Sequence, residues 1–321
     1  MIMPKDKNVK IKYSFLKILT ASDLSCRRLP FMSIESANPG PVIWLTACIH
    51  GDEVSGIVII QEIFKNLKKT LLKGAVHAFP LMNPIGFETS SRFITLSEED
   101  LNRSFPGKKD GSLSERVAEQ IFNEIMAKKP DLVLDLHNDW IRSIPFVLFD
   151  YFEKVKYPEV YEKAKILSKK TGLLTIFDTE EVKGSLSYEM IQKGVPSLTL
   201  ELGEPYIINE KSVELGTKAI INILTHLEMI QQAEIFSYPM PENLKDKTLK
   251  YRYQSSSTSG IIRFLANPGE VVKKGQPVAR IYNAFGKLQE TVNALDDGII
   301  LGHADYSVAF PGASIISFGN F

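Results

Sequence analysis

From Pro41 to Ile230 the chain repeats one alternation, in which a short dense apolar run gives way to a turn and then to a longer stretch with helical spacing. PVIWLTAC (41–48) is rich in β-branched and aromatic residues and ends near Gly51, which is how a strand buried on both faces reads. VSGIVIIQEIFKNLKK follows with helically spaced apolar residues and a lysine-rich end suited to a helix C-terminus. AVHAFP (75–80) is the next strand, and Ser112 and Glu115 have capping-box spacing ahead of the helix pattern SLSERVAEQIFNEIMAKK. DLVLDLH (131–137) and PFVLFD (145–150) read as strands and YPEVYEKAKILSKK as a helix; LLTIFD, SLSYEMIQKG, PSLTLELG and NEKSVELGTKAIINILTHLEMI continue as strand, helix, strand, helix. This order predicts an α/β domain whose mainly parallel or mixed sheet is flanked by helices. The opening stretch, with Val9, Ile11 and Phe15 among lysines, reads as strand and loop.

After YPMPENLKDK the texture changes to short apolar alternations separated by PG, KG, DG and PG turns, the pattern of an all-β unit. Within it Gly260-Ile261-Ile262 returns as Gly298-Ile299-Ile300, and Gly275, Val278 and Ile281 return as Gly312, Ile315 and Phe318. Two half-units packed face to face would bury both apolar sets. The division predicted is a catalytic-sized domain over 1–245 and a small all-β domain over 246–321.

At 321 residues and 44% hydrophobic the chain can bury a full core. Lys plus Arg and Asp plus Glu each number 38, so no net field attracts a polyanion and nucleic acid is excluded as a partner. Cys26 and Cys48 read as reduced thiols of a cytoplasmic protein. Charges interrupt the N-terminal stretch before any apolar run develops, and no later segment reaches the length of a membrane span, so neither a signal nor a membrane partner is expected. A small symmetric homo-oligomer is left open.

In ACIHGDEVSG, His50 and Glu53 stand where a strand gives way to a helix. They are either polar side chains at a helix start, with Glu53 favouring its positive end, or half of a metal site. His137 closes another strand, and strand ends of an open α/β sheet converge at its carboxyl edge. Two imidazoles and one carboxylate make a suitable donor set for Zn2+, which in catalytic duty takes three protein ligands. Asp135, two residues before His137 on the same strand face, either orients that ring or is an ordinary strand-end carboxylate. His77 reads as a hydrogen-bonded interior residue, His226 as the middle of a helix and His303 as part of the distal β unit. Glu201, at the end of a very apolar strand, is the candidate base, with Glu204 its rival. Arg92, Asn102 and Arg103 lie in a long aperiodic segment, where guanidinium groups can fork onto a carboxylate or stabilise an oxyanion.

HGDE (50–53), the NP-x-G start at Asn83, Arg92 followed by DLNRSFPG (100–107), DLHN (135–138) and ELGE (201–204) occur in an order that resembles the zinc-dependent deacylases of the succinylglutamate desuccinylase/aspartoacylase family. That family is itself similar in its catalytic domain to the zinc carboxypeptidases. The resemblance implies a zinc-carboxypeptidase-like sheet, with His50, Glu53 and His137 as zinc ligands and Glu201 as general base and then acid. It further implies that Asn102 and Arg103 grip the substrate's free carboxylate and that Arg92 polarises the scissile carbonyl. The implied reaction is hydrolysis of a small N-acyl amino acid to a carboxylate and an amine. A carboxypeptidase-like exopeptidase and a non-catalytic metal-binding protein are the rival readings.

GIIRFLANPGEVVKKGQPVARI and the later DGII resemble biotinyl and lipoyl carrier domains, which implies a small barrel-sandwich. Carriers present a lysine at the hairpin between their halves, whereas this hairpin carries Phe285 and Gly286 at its tip, with Lys287 displaced. In the deacylase family the extra β domain covers the active-site mouth, so Tyr282 or Asn283 either completes the pocket or packs as an ordinary β residue. Trp140 and Arg142 are candidates for lining an acyl pocket, with solvent or a partner subunit as the alternative.

Overall fold

A computed structural model describes residues 9–152, 156–245 and 247–321. Residues 1–8 of the N-terminal stretch, and Asp246 at the expected division, lie outside the described residues.

The strands are β1 Val9–Thr20, β2 Cys26–Ser36, β3 Val42–Ala47, β4 Ala75–Phe79, β5 Leu132–His137, β6 Arg142–Ser143, β7 Phe146–Phe149, β8 Leu174–Phe177 and β9 Ser197–Glu201. The C-terminal strands are β10 Thr248–Ser255, β11 Gly260–Phe264, β12 Val271–Val272, β13 Pro277–Tyr282, β14 Leu288–Asn293, β15 Gly298–His303, β16 Val308–Ala309 and β17 Ser314–Asn320. Helices are α1 Ser55–Thr70, α2 Pro84–Glu88, α3 Leu113–Ala127, α4 Pro158–Lys170, α5 Leu186–Gln192 and α6 Glu210–His226.

The central strands β4, β3, β5 and β9 are mutually parallel, so their carboxyl ends share one edge. The opening stretch forms a long antiparallel β1–β2 hairpin added beside β4, and β7 runs antiparallel to β9. Alternation within β3 explains its continuous apolar run. Ile43, Leu45 and Ala47 pack with Ile59, Ile60, Ile63, Phe64 and Leu67 of α1, while Trp44 packs on the other face with Val117, Ile121 and Ile125 of α3. The expected capping box opens α3, with Ser112 Oγ accepting from Glu115 N (3.2 Å) and Glu115 Oε2 accepting from Ser112 N (2.8 Å).

Two readings are corrected here. His226 is the last residue of α6, not its middle, because Leu227 leaves helical geometry and Glu228 has φ 54°. His77 is interior, yet it packs against Phe31 and Trp44, and its Nδ1 has no hydrogen-bond partner among the described residues.

The all-β segment does not stand apart from the sheet. β10 pairs in parallel with β8, and β17, β15 and β12 extend the same sheet beyond it, while β14-β13-β11-β16 form a second, four-stranded antiparallel sheet. The two repeats noted in the sequence fall in opposite sheets and share one core, in which Ile262, Val278 and Ile281 meet Ile300, Ile315 and Phe318. No helix among the described residues is long and apolar enough to cross a membrane. Both cysteines are free, Cys26 exposed and Cys48 buried.

Candidate metal centre and active site

The turn after β3 is built by close backbone approach. A Cβ on Gly51 would lie 2.0 Å from Gly86 C, and one on Gly86 would meet Asn83 Nδ2 at 2.4 Å, so the HGDE and NP-x-G motifs interlock through their glycines. Asn83 caps α2 by accepting from Gly86 N (2.9 Å) and gives its own N–H to Cys48 O (2.9 Å). Cys48 adopts φ 52°, a left-handed bend two residues before the histidine.

That bend delivers His50 and Glu53 to the end of β5. His50 Nδ1 lies 2.6 Å from Glu53 Oε1 and His137 Nδ1 lies 2.8 Å from Glu53 Oε2, all three side chains being buried. Their ligand atoms fall within 4.8 Å of one another. Behind His137, Asp135 Oδ2 sits 2.9 Å from Nε2, and its other oxygen accepts from Thr46 Oγ1 (2.7 Å). Behind His50, Asp100 Oδ1 is 3.3 Å from Nε2, without hydrogen-bond alignment. Each imidazole is thus held between carboxylates, the arrangement that fixes ring orientation and tautomer in metal sites. Asn138 N donates to Glu53 Oε2 (3.1 Å), while the Asn138 side chain joins Ser55 N to the carbonyls of Leu202 and Gly203.

The electrostatics agree with that geometry. Although burial opposes it, His50 and His137 hold Glu53 well below the usual carboxylate range. Burial likewise opposes the ionisation of Asp100, yet His50 and Arg92 hold it low. Burial disfavours the His137 cation, but Asp135 and Glu53 raise its pKa well above the ordinary histidine value. Carboxylates converging on two imidazoles favour a cation between them, and the donor set of two ring nitrogens and one carboxylate fits a first-row divalent ion.

These residues border a cavity of about 750 Å³. Glu201 ends β9 in direct register with His137, lines the cavity, and keeps Oε2 without a partner. Burial pushes its carboxyl up to about 8, against the pull of His137. Its rival, Glu204, instead accepts from Asn209 Nδ2 (2.6 Å) at the start of α6 and is absent from the cavity wall. Arg92, Asn102, Arg103 and Trp140 line the cavity. Arg92 Nη2 and Nε donate to Asp100 Oδ2 (3.1 and 3.2 Å), and its Nη1 lies 3.5 Å from Glu53 Oε1. Asn102 Oδ1 accepts from Leu186 N (2.9 Å), its Nδ2 lies 3.5 Å from His137 Nε2, and Arg103 Nη1 donates to Asn102 O (2.7 Å).

Two expected residues are not brought to the site. Arg142 is exposed in β6, where pairing with His303 of β15 holds it outside the wall. Tyr282 belongs to the outer sheet and lies beneath Arg263, whose guanidinium is 5.9 Å from the ring centroid. The distal unit reaches the cavity by another route. Asp305 Oδ1 accepts from Ile141 N (2.6 Å), and Asp305, Tyr306, Tyr251 and Tyr253 join the wall. Sequence reasoning missed these, and missed Asp100 and Asn138 as supports. The latter two stood inside the quoted DLNR and DLHN runs, whereas nothing local marks Asp305 or Tyr306.

The chain matches the family model "Succinylglutamate desuccinylase/Aspartoacylase catalytic domain" over residues 39–227. It is 26% identical over 278 residues to N-alpha-acetyl-L-2,4-diaminobutyric acid deacetylase of Halomonas elongata, covering 85% of this chain and 80% of that one. The crystal structure of a succinylglutamate desuccinylase from Silicibacter sp. TM1040 is similar with TM-score 0.81 and 21% identity, covering 99% of this chain and 97% of that one. A metallo-carboxypeptidase from Burkholderia cenocepacia shares the fold more loosely, with TM-score 0.56 and 17% identity over 67% of this chain and 65% of its own.

Proposed function

The chain belongs to the succinylglutamate desuccinylase/aspartoacylase family, and from that premise we propose that it is a zinc-dependent amidohydrolase cleaving a small N-acyl amino acid into a carboxylate and a free amine. The observation that carries this reading is the meeting of His50, Glu53 and His137 with an unpartnered Glu201 in one cavity that also holds Arg92, Asn102 and Arg103. His50, Glu53 and His137 would hold the zinc, which when bound would supply Lewis acidity.

The remaining chemistry falls to the chain's own side chains. Glu201 takes a proton from the attacking water and returns it to the leaving nitrogen, a task suited to a buried carboxyl beside the metal ligands. Arg92, half-exposed at the mouth and braced by Asp100, faces the scissile carbonyl and stabilises developing negative charge. Asn102 Nδ2 and the Arg103 guanidinium hold the free α-carboxylate. The shared two-sheet core supports a lipoyl-like arrangement for the unit over 246–321, which caps the catalytic domain over 1–245 through the Asp305–Tyr306 segment. Two free cysteines are in keeping with a cytoplasmic location.

The test is a chelated protein reloaded with zinc and assayed on N-acetyl and N-succinyl amino acids and on short peptides. Zinc should restore hydrolysis of at least one N-acyl amino acid, and Glu201→Gln should keep the metal while losing about 10²- to 10⁴-fold in kcat. Cleavage of peptides alone would favour an exopeptidase. Bound metal with no turnover of any amide would favour a binding protein.

A further inference from the structure

Resting on the deacylase reading of the same cavity, we propose that Asp150 and Asp178 form a subsite for a cationic side chain, so that the substrate is an N-acyl amino acid whose side chain ends in an ammonium or guanidinium group. The cavity has depth along the sheet. β7 runs antiparallel to β9 with Phe146 opposite Glu201 and Leu148 opposite Thr199, and all four line the wall together with Asp150. Residues two apart share a strand face, so the wall descends from the catalytic level over Leu148 to Asp150, roughly 13 Å at a strand rise of about 3.3 Å per residue.

Asp178 joins Asp150 there because β8 is parallel to β7 with Phe177 beside Phe149, and Asp178 N donates to Phe149 O (3.1 Å). Both residues are buried, at 3% and 7% exposure, and both line the cavity. Neither takes part in a salt bridge among the described residues, and the donors to their carboxyls, the Ser187 hydroxyl and the Glu180 backbone N–H, bring no charge. Buried acids are costly to ionise, and a cation entering between them relieves both. In keeping with this, burial raises both carboxyls, Asp150 to about 7 with Asp178 adding to its shift, while the Arg103 charge offsets only part of the rise at Asp178. Arg103 adds direction to the cavity. Its guanidinium is positive for an α-carboxylate and is bonded to Asn102 O without a salt bridge to Asp178, so one wall offers both a cation and two carboxyls. The Phe146 and Leu148 side chains between suit an aliphatic stem. An acidic side chain would bring a third carboxyl to a place that already disfavours carboxylate charge.

The test uses the zinc-loaded protein and the N-α-acetyl derivatives of 2,4-diaminobutyrate, ornithine and lysine, against those of 2-aminobutyrate, norvaline and aspartate. A cationic substrate should exceed every neutral and acidic one by about tenfold or more in kcat/KM, and that ratio should fall about tenfold in Asp150→Asn and in Asp178→Asn, mainly through KM. Equal rates on neutral substrates, or a ratio unmoved by both substitutions, would overturn the subsite. The free amino acids provide a readout independent of turnover and of variant folding. In wild-type protein the cationic ones should raise Tm more than 2-aminobutyrate or aspartate does, and equal shifts would again overturn it. Selective Tm shifts without any amide hydrolysis would remove the deacylase reading alone, whereas unselective hydrolysis would remove the subsite alone.

Discussion

Two pairs of buried histidines occupy this molecule, and their surroundings make them opposites. His50 and His137 stand at the carboxyl edge of the parallel strands, ring centroids 5.0 Å apart, with carboxylates on both sides of each ring. His77 and His303 lie within strands and press against aromatics: His77 is 6.0 Å from the Phe31 centroid, and His303 stacks on Phe264 at 3.9 Å and 9°. One environment favours positive charge. The other excludes it, as burial drives both His77 and His303 down to about 4. The lesson is that a histidine becomes a candidate ligand through its place at a strand end among acids, since residue type and burial are common to both pairs.

The largest effect that could break this contrast is loss of the metal. His137→Ala should abolish stoichiometric zinc binding and reduce activity about 10³-fold or more, whereas His303→Phe should keep both; metal analysis of the two purified variants decides. If both variants bind zinc equally, the contrast fails. Next in size is the carboxylate behind the ring. Asp135→Asn should weaken metal affinity or activity by about 10- to 100-fold, measured by competition with a chelator of known affinity.

Acid sensitivity sharpens the other half of the comparison. Between pH 4 and 6.5 the folded chain binds fewer protons at His77 and His303 than the unfolded chain does, so the stability they allow is full above pH 6.5 and falls as pH drops toward 4. Burial is the main cause in each. Lys128 adds to it at His77 against Glu35, and Arg142 adds to it at His303 against the Ala266 backbone and Glu270. The loss is on the order of 2–3 kcal/mol per histidine, so urea titrations of wild type and His303→Phe should diverge progressively below pH 6.5. Parallel curves would show that His303 titrates normally. The smallest effect concerns a residue the fold left outside the cavity: Arg142→Ala should change kcat/KM by less than about twofold, and a large loss would return it to the site.

Much of the candidate site was legible because it is carried by short runs at predictable places. DLHN and ELGE close strands and HGDE follows one by a short turn, and parallel neighbours β3, β5 and β9 necessarily bring those ends to one edge. The Ser112 capping box and the repeat within the β unit were readable for the same reason, since each depends on local spacing and alternation. Tyr282 and Arg142 were misplaced because local sequence does not say which sheet a hairpin joins or how β6 registers with β15.

The sequence by itself determined the element types, the order of the motifs and the chemistry available to them, because backbone periodicity, capping and donor identity are local properties. Only the tertiary structure decided which side chains share a cavity. Asp100 behind His50, Asp305 against Ile141, and Asp150 beside Asp178 are pairings between separate segments, set by strand register and by the continuation of the sheet through β10. Such pairings arise from packing many elements at once, and no local window of residues contains them.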